Sequence, residues 1–195
     1  MKHNVIEEHL LNSANVLRAT AETCVGSISS AAAVIAEAFS NGGKLLLCGN
    51  GGSAADCQHM AAELTSRLTR DFDRPGLPAI ALTTDTSFIT AFANDINFEG
   101  IFARQVQALG SKGDVVLGIS TSGSSKNVML AFQEAKRRGL KTVALCGSGG
   151  SLKDISDVCV SIPSNNTQFI QEAHLNVEHL LCEIVEDTLF SSLKK

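Results

Sequence analysis

The feature that most constrains this chain is an alternation. From residue 44 onward, short apolar runs take turns with segments of helical periodicity, and three of the runs stop at a Gly/Ser cluster. The runs are Lys44–Gly49, Ala79–Leu82, Asp114–Ser120, Thr142–Gly147 and Val158–Ile162. They are apolar throughout rather than alternating, the pattern of parallel strands covered on both faces. Helical patterns lie between them, near 54–69, 86–93, 98–109 and 126–138, and a last helix is predicted over about 167–191. The implied fold class is α/β, a central five-stranded parallel sheet with right-handed crossovers, flanked by helices.

Ahead of this core, residues 5–41 read as helical. Val5, Ile6, Leu10, Leu11, Val16 and Leu17 recur at helical spacing, a second stretch runs from Ile28 to Phe39, and Gly42-Gly43 stops it. We read 1–195 as one domain, with 1–41 as N-terminal helices for packing and oligomerisation and 42–195 as the α/β core. With 16 basic against 20 acidic residues and no Trp or Tyr, a nucleic-acid partner is disfavoured. The apolar run Ala31–Ala36 stops at Glu37, and Met1-Lys2-His3-Asn4 opens no apolar signal core, so the expectation is a cytoplasmic protein with no membrane partner. The six cysteines form no C-x-x-C pair and read as small core hydrophobes.

Two loops at strand ends resemble each other. Leu47-Cys48-Gly49-Asn50-Gly51-Gly52-Ser53 is nearly repeated by Leu145-Cys146-Gly147-Ser148-Gly149-Gly150-Ser151. A third, Ser120-Thr121-Ser122-Gly123-Ser124-Ser125, enters a helix near Asn127. Ligands of open α/β sheets bind at this edge. Small residues let backbone N–H groups converge on an anion, the helix N-terminus favours it, and the hydroxyls add neutral donors. Ser and Gly are also ordinary N-cap residues, but five hydroxyls in six positions exceed what a cap needs. The expected ligand group is a phosphate. Neither the Gly-Lys-Ser/Thr of a nucleotide-binding P-loop nor a G-x-G-x-x-G spacing follows the first loop.

On the helix after Gly49-Asn50-Gly51-Gly52-Ser53, Cys57, Met60, Ala61, Leu64 and Leu68 form the core stripe. His59 and Glu63, four apart, lie nearly opposite it, beside Ala55, Ala62 and Ser66. A small, uncharged face predicts packing against something, such as another subunit. On the last helix Ile170, Ala173, Val177, Leu180, Leu181 and Ile184 mark the stripe, with His179 on the far side and Gln171 about 12 Å before it along the axis. Spacing alone makes His174 with Glu178, or His179 with Glu183, equally good metal-type pairs.

Taken in order, Cys48-Gly-Asn-Gly-Gly-Ser53, Asp56-x-x-His59-x-x-x-Glu63, Asn94-Asp95, Gly118-Ile-Ser-Thr-Ser-Gly-x-Ser125 and Ile170-Gln-Glu-x-His174-x-x-x-x-His179 resemble the bacterial phosphoheptose isomerases of the sugar-isomerase (SIS) superfamily. The resemblance implies an SIS-type sandwich, a homotetramer with sites between subunits, and conversion of sedoheptulose 7-phosphate to D-glycero-D-manno-heptose 7-phosphate for lipopolysaccharide or other surface glycans. Carried over by position, it implies phosphate contacts from Ser53, Ser120, Thr121, Ser122 and Ser125, and sugar contacts from Asn50, Gly51, Gly52, Asn94, Asp95, Glu63 and Gln171. It implies Glu63 as general base, His179 as second acid/base, and zinc on His59, Glu63, Gln171 and His179. One departure is Phe169, where similar sequences usually carry Arg; phosphate steering would then fall to Arg67 or to the serine loop alone.

The rival from another class is a non-catalytic SIS protein that binds the replication initiator DnaA, which shares an ending like Glu186-Asp187-Thr188-Leu189-Phe190. Such relatives are not expected to keep Glu63 together with His179, and this chain has both. A sugar-phosphate-sensing transcription regulator would need a basic DNA-binding segment, whereas the first 40 residues carry only Lys2 and Arg18.

Overall fold

The structure is a computed structural model that describes residues 2–193. Five strands, β1 (Leu45–Gly49), β2 (Ala79–Ala81), β3 (Val115–Ser120), β4 (Lys141–Cys146) and β5 (Val158–Ser161), form one parallel sheet in the order β2-β1-β3-β4-β5. Each lies within a residue or so of its predicted run. At the start of β1 the ladder reaches one residue further, Val115 N donating to the Lys44 carbonyl at 3.0 Å.

Alternate strand residues enter two separate cores. Leu45, Leu47, Val115, Leu117, Val143 and Leu145 face a layer made by α1 (Lys2–Thr23), α2 (Val25–Ser40), α3 (Gly52–Thr65) and α8 (Thr167–Phe190). Leu46, Cys48, Val116 and Ala144 face the other layer, made by α4 (Thr86–Asp95), α5 (Ile101–Leu109), α6 (Lys126–Arg137) and the short α7 (Leu152–Ile155). Covering both faces is what lets β1, β3 and β4 be apolar at nearly every position. The edge strand β2 is the exception, with Ile80 39% exposed. All six cysteines are free thiols, and five are buried among apolar neighbours.

Two expectations need correction. The helix predicted over 54–69 ends at Thr65: Ser66 leaves helical geometry at φ −99 and ψ −95, so Leu68 reaches the core from an irregular segment. On α8 the buried stripe is Ile170, Ala173, His174, Val177, Glu178, Leu181, Cys182, Val185 and Glu186, while Leu180 is exposed. Polar residues on the inner stripe hid its true phase. Residues 5–41 are two helices bent by 72° at Cys24; α2 is embedded in the first core, whereas Val5, Ile6, Leu10 and Leu11 of α1 point outward. Among the described residues no single helix is long and apolar enough to cross a membrane.

Candidate active site

The chain leaves β1 toward one side of the sheet and β3 toward the other, so their C-terminal loops flank the point where strand order reverses. Beyond β3 the serine loop gathers its hydroxyls. Ser120 is 3% exposed and its Oγ lies 2.9 Å from Ser125 Oγ and 3.4 Å from Ser122 Oγ. Ser125 sits at the N-cap of α6, yet its hydroxyl makes no capping bond. It turns into the loop instead, where three hydroxyls converge at a helix N-terminus. Thr121 is half-buried beside them.

The echo of the first loop at 147–151 has a mechanical role. Gly123, at φ +63, and Gly150, at φ +80, touch backbone to backbone: a Cβ on Gly123 would lie 2.3 Å from the Gly149 carbonyl oxygen, and one on Gly150 2.3 Å from that of Gly123. Gly147 N donates to the Thr121 carbonyl at 3.1 Å and Leu152 N to the Gly123 carbonyl at 2.9 Å. The repeat therefore braces the serine loop from behind.

The loop after β1 is tied to the same place. Asn50 and Asn127 exchange a reciprocal amide pair, Nδ2 to Oδ1 at 2.9 and 2.8 Å, and Asn127 is 3% exposed at the start of α6. Asn127 was only a boundary marker in the sequence; no spacing rule pairs it with Asn50, 77 residues away. Gly51, at φ +58, opens α3, and Ser53 is buried in its first turn. Gln171 of α8 lies against Gly52 so closely that a Cβ there would meet its Nε2 at 2.1 Å.

Farther along, α3 and α8 bring the titratable residues together. His59 Nε2 and His179 Nε2 stand 2.9 Å apart with their rings edge to face, and Glu63 Oε1 is 3.8 Å from His59 Nε2. The small-residue face carrying His59 thus meets α8 of its own chain, without need of a second subunit for that contact. Glu63 Oε2 is buried with no hydrogen-bond partner. Two imidazole nitrogens and a carboxylate suit zinc chemically, and a cation would satisfy that orphan oxygen. The expected fourth ligand is elsewhere: Gln171 sits at Gly52, seven residues or about 10 Å before His59 along α3. Among the described residues no three His, Cys, Asp or Glu side chains stand in metal-ligating geometry.

His174 and Glu178, the competing pair by spacing, point inward. Both ring nitrogens and both carboxylate oxygens lack a partner of ordinary geometry, as does Asp56 Oδ2. Burial, then the Asp56 charge, pushes Glu178 up to about 8. Burial pulls His174 down to about 4, against the Cys146 backbone. Glu183 is exposed.

The remaining positions lie apart. Asn94 donates to Asp95 Oδ1 at 2.7 Å, both exposed at the end of α4, and neither bonds the serine loop among the described residues. Phe169 packs its ring on His9 of α1, centroids 5.0 Å apart, and Arg67 is exposed. Where an Arg was expected, the residue present completes the α1–α8 seam.

Residues 8–147, which carry β1 to β4, the serine loop and α3, match the SIS domain family. The chain is 56% identical over 179 residues to a phosphoheptose isomerase of Roseiflexus sp. (strain RS-1), covering 91% of this chain and 90% of that protein. It superposes on a phosphoheptose isomerase from Francisella tularensis with a TM-score of 0.91 at 39% identity, over 96% of this chain and 99% of that one. On phosphoheptose isomerase GmhA from Neisseria gonorrhoeae the TM-score is 0.90 at 39% identity, over 96% and 100%. The chain belongs to the phosphoheptose isomerase family of SIS-domain proteins.

Proposed function

We propose that this protein is an aldose–ketose isomerase that converts sedoheptulose 7-phosphate to D-glycero-D-manno-heptose 7-phosphate, in the cytoplasm, for heptose-containing surface glycans. The observation that carries the reading is the meeting of Glu63, His59 and His179 on α3 and α8, in a fold whose serine loop is shaped for a phosphate. Ser53, Ser120, Thr121, Ser122 and Ser125 hold the phosphate, and Asn50, Gly51, Gly52, Asn94, Asp95 and Gln171 line the sugar. Glu63 takes a proton from C1 of the ketose, which makes the 1,2-enediol, exchanges it with solvent and delivers a proton to C2. His179 receives the proton of the C1 hydroxyl and gives one to the C2 oxygen, so charge and atoms balance. His59, Glu63 and His179 would hold a zinc ion, and such an ion would supply polarisation of the carbonyl. The Glu63 Oε2 lone pairs, which no hydrogen bond occupies, support the base role.

A homotetramer fits the outward apolar residues of α1 and the exposed Leu175 and Leu180 of α8. The initiator-binding alternative has less support: relatives sharing half or more of the sequence are named phosphoheptose isomerases, and Glu63 with His179 has no role in a mere adaptor. The test is incubation with sedoheptulose 7-phosphate in deuterium oxide, followed by NMR. Deuterium at C2 of the aldose is the expected result. Glu63→Gln should lower turnover by roughly 10²–10⁴-fold with substrate still bound. A native protein that turns over nothing, with or without zinc, yet binds the initiator refutes the isomerase reading.

A further inference from the structure

The geometry points to Arg74 as a positioning residue that sets the register between α3 and α8, and so the approach of Glu63 to His179; this rests on those two side chains being the acid/base pair. Arg74 lies in the irregular segment after α3, which doubles back over the end of that helix. Leu77 N donates to the Leu64 carbonyl at 2.9 Å, and Gly76 runs so close that a Cβ would stand 2.6 Å from the Thr65 carbonyl oxygen. The Arg74 side chain is 1% exposed. Its Nη2 donates to the carbonyl of Glu63 at 2.8 Å, and its Nη1 to those of Leu64 at 2.7 Å and Pro75 at 3.1 Å. Its Nε donates to Glu186 Oε2 at 3.0 Å, on a side chain 2% exposed.

The last carbonyls of a helix have no partner within it. Here one guanidinium takes two of them, including the backbone of Glu63 itself, and fastens them to α8. Glu186 follows His179 by seven residues, close to two turns, and so lies on nearly the same side of α8. A buried ion pair adds little net stability but fixes relative placement, and the planar fork of donors reaches all four of these groups at once. If the clamp loosens, α3 slides against α8, and a misplacement of about 1 Å costs on the order of 10²-fold in rate.

The test uses the full-length protein and three variants: Arg74→Lys, Glu186→Gln, and Lys44→Met as a control. The last breaks a different ion pair, Lys44 Nζ to Asp114 Oδ2 at 2.6 Å, beside the start of β1. For Arg74→Lys, kcat should fall roughly 10–10²-fold while KM stays within about threefold, because the serine loop is untouched. Glu186→Gln should show the same split to a lesser degree. Lys44→Met should lose melting temperature and keep kcat. If kcat in the first two variants follows melting temperature as the control does, Arg74 is only structural and the proposal falls. If Arg74→Lys does not fold, Glu186→Gln decides, since it leaves every Arg74–carbonyl bond in place. A second readout is independent of turnover: the imidazole nitrogen resonances of His59 and His179 should move in Glu186→Gln and stay put in Lys44→Met. Unmoved resonances overturn the clamp, whereas a wild-type protein without turnover overturns the isomerase reading instead.

Discussion

A serine at an N-cap normally spends its hydroxyl on the first turn of its helix, and Ser125 does not. Its Oγ faces Ser120 Oγ, so removing both should cost ligand binding rather than helix stability. For Ser120→Ala with Ser125→Ala, the affinity for the sugar phosphate should drop by about 2–3 kcal/mol, at roughly 1–1.5 per lost hydrogen bond. Titration calorimetry reads this directly, and unchanged affinity would remove the phosphate assignment. The buried pair on α8 sets a different expectation. Glu178 is held above its ordinary 4.5, up to about 8, so its contribution to stability is complete below 4.5 and is lost as pH rises through 8. His174 is held below 6.5, down to about 4, so its contribution is present above 6.5 and is lost as pH falls through 4. Between about pH 6 and pH 9 the melting temperature should decline less in Glu178→Gln than in the wild type; parallel curves would contradict the assignment. At this scale the sequence offered the hydroxyls of 120–125 and the imidazoles of His59, His174 and His179 as candidates by type and spacing. It could not show which way they turn, because an i,i+4 pair reads alike whether it faces a ligand or a core. That is why His174 with Glu178 stood level with His59 and Glu63 until packing separated them.

At the scale of elements, the strands were legible because burial on both faces leaves only one pattern, an unbroken apolar run. The ends of helices were less so. The segment after Thr65 keeps helical periodicity in its letters, Leu68 included, but Arg74 takes up the carbonyls of Glu63 and Leu64. A long-range bond of that kind leaves no trace in local spacing. The four-residue α7 was missed for a related reason, since one turn is too short to show a period. The meeting of α3 with α8 carries its own prediction. His59→Ala should abolish zinc binding while the protein keeps its secondary structure, because His59 projects from a helix whose core stripe is unaltered. Elemental analysis after dialysis checks it, and retained zinc would point to ligands other than the His59 group.

For the whole molecule, the telling surface is α1. Val5, Ile6, Leu10 and Leu11 are each more than half exposed, on a helix that packs its other side against α8. Such a stripe is expected to be covered by another copy of the chain. Light scattering should therefore give four times the 20.5 kDa chain mass, and Ile6→Lys with Leu10→Lys should return it to a single chain without unfolding. A wild-type protein that is fully active as a monomer would sink the tetramer. The sequence marked these residues as helical and apolar, in helices for packing and oligomerisation, but periodicity tells that a face is to be covered and not by what.

Gly123 and Gly150 leave no room for a side chain between them. The serine loop is therefore inheritable only together with its brace. A transplant of residues 120–125 onto another scaffold, or a library that varies them in this one, inherits a path already dictated by 147–151. Variation aimed at a different anionic ligand has to be drawn across both segments at once.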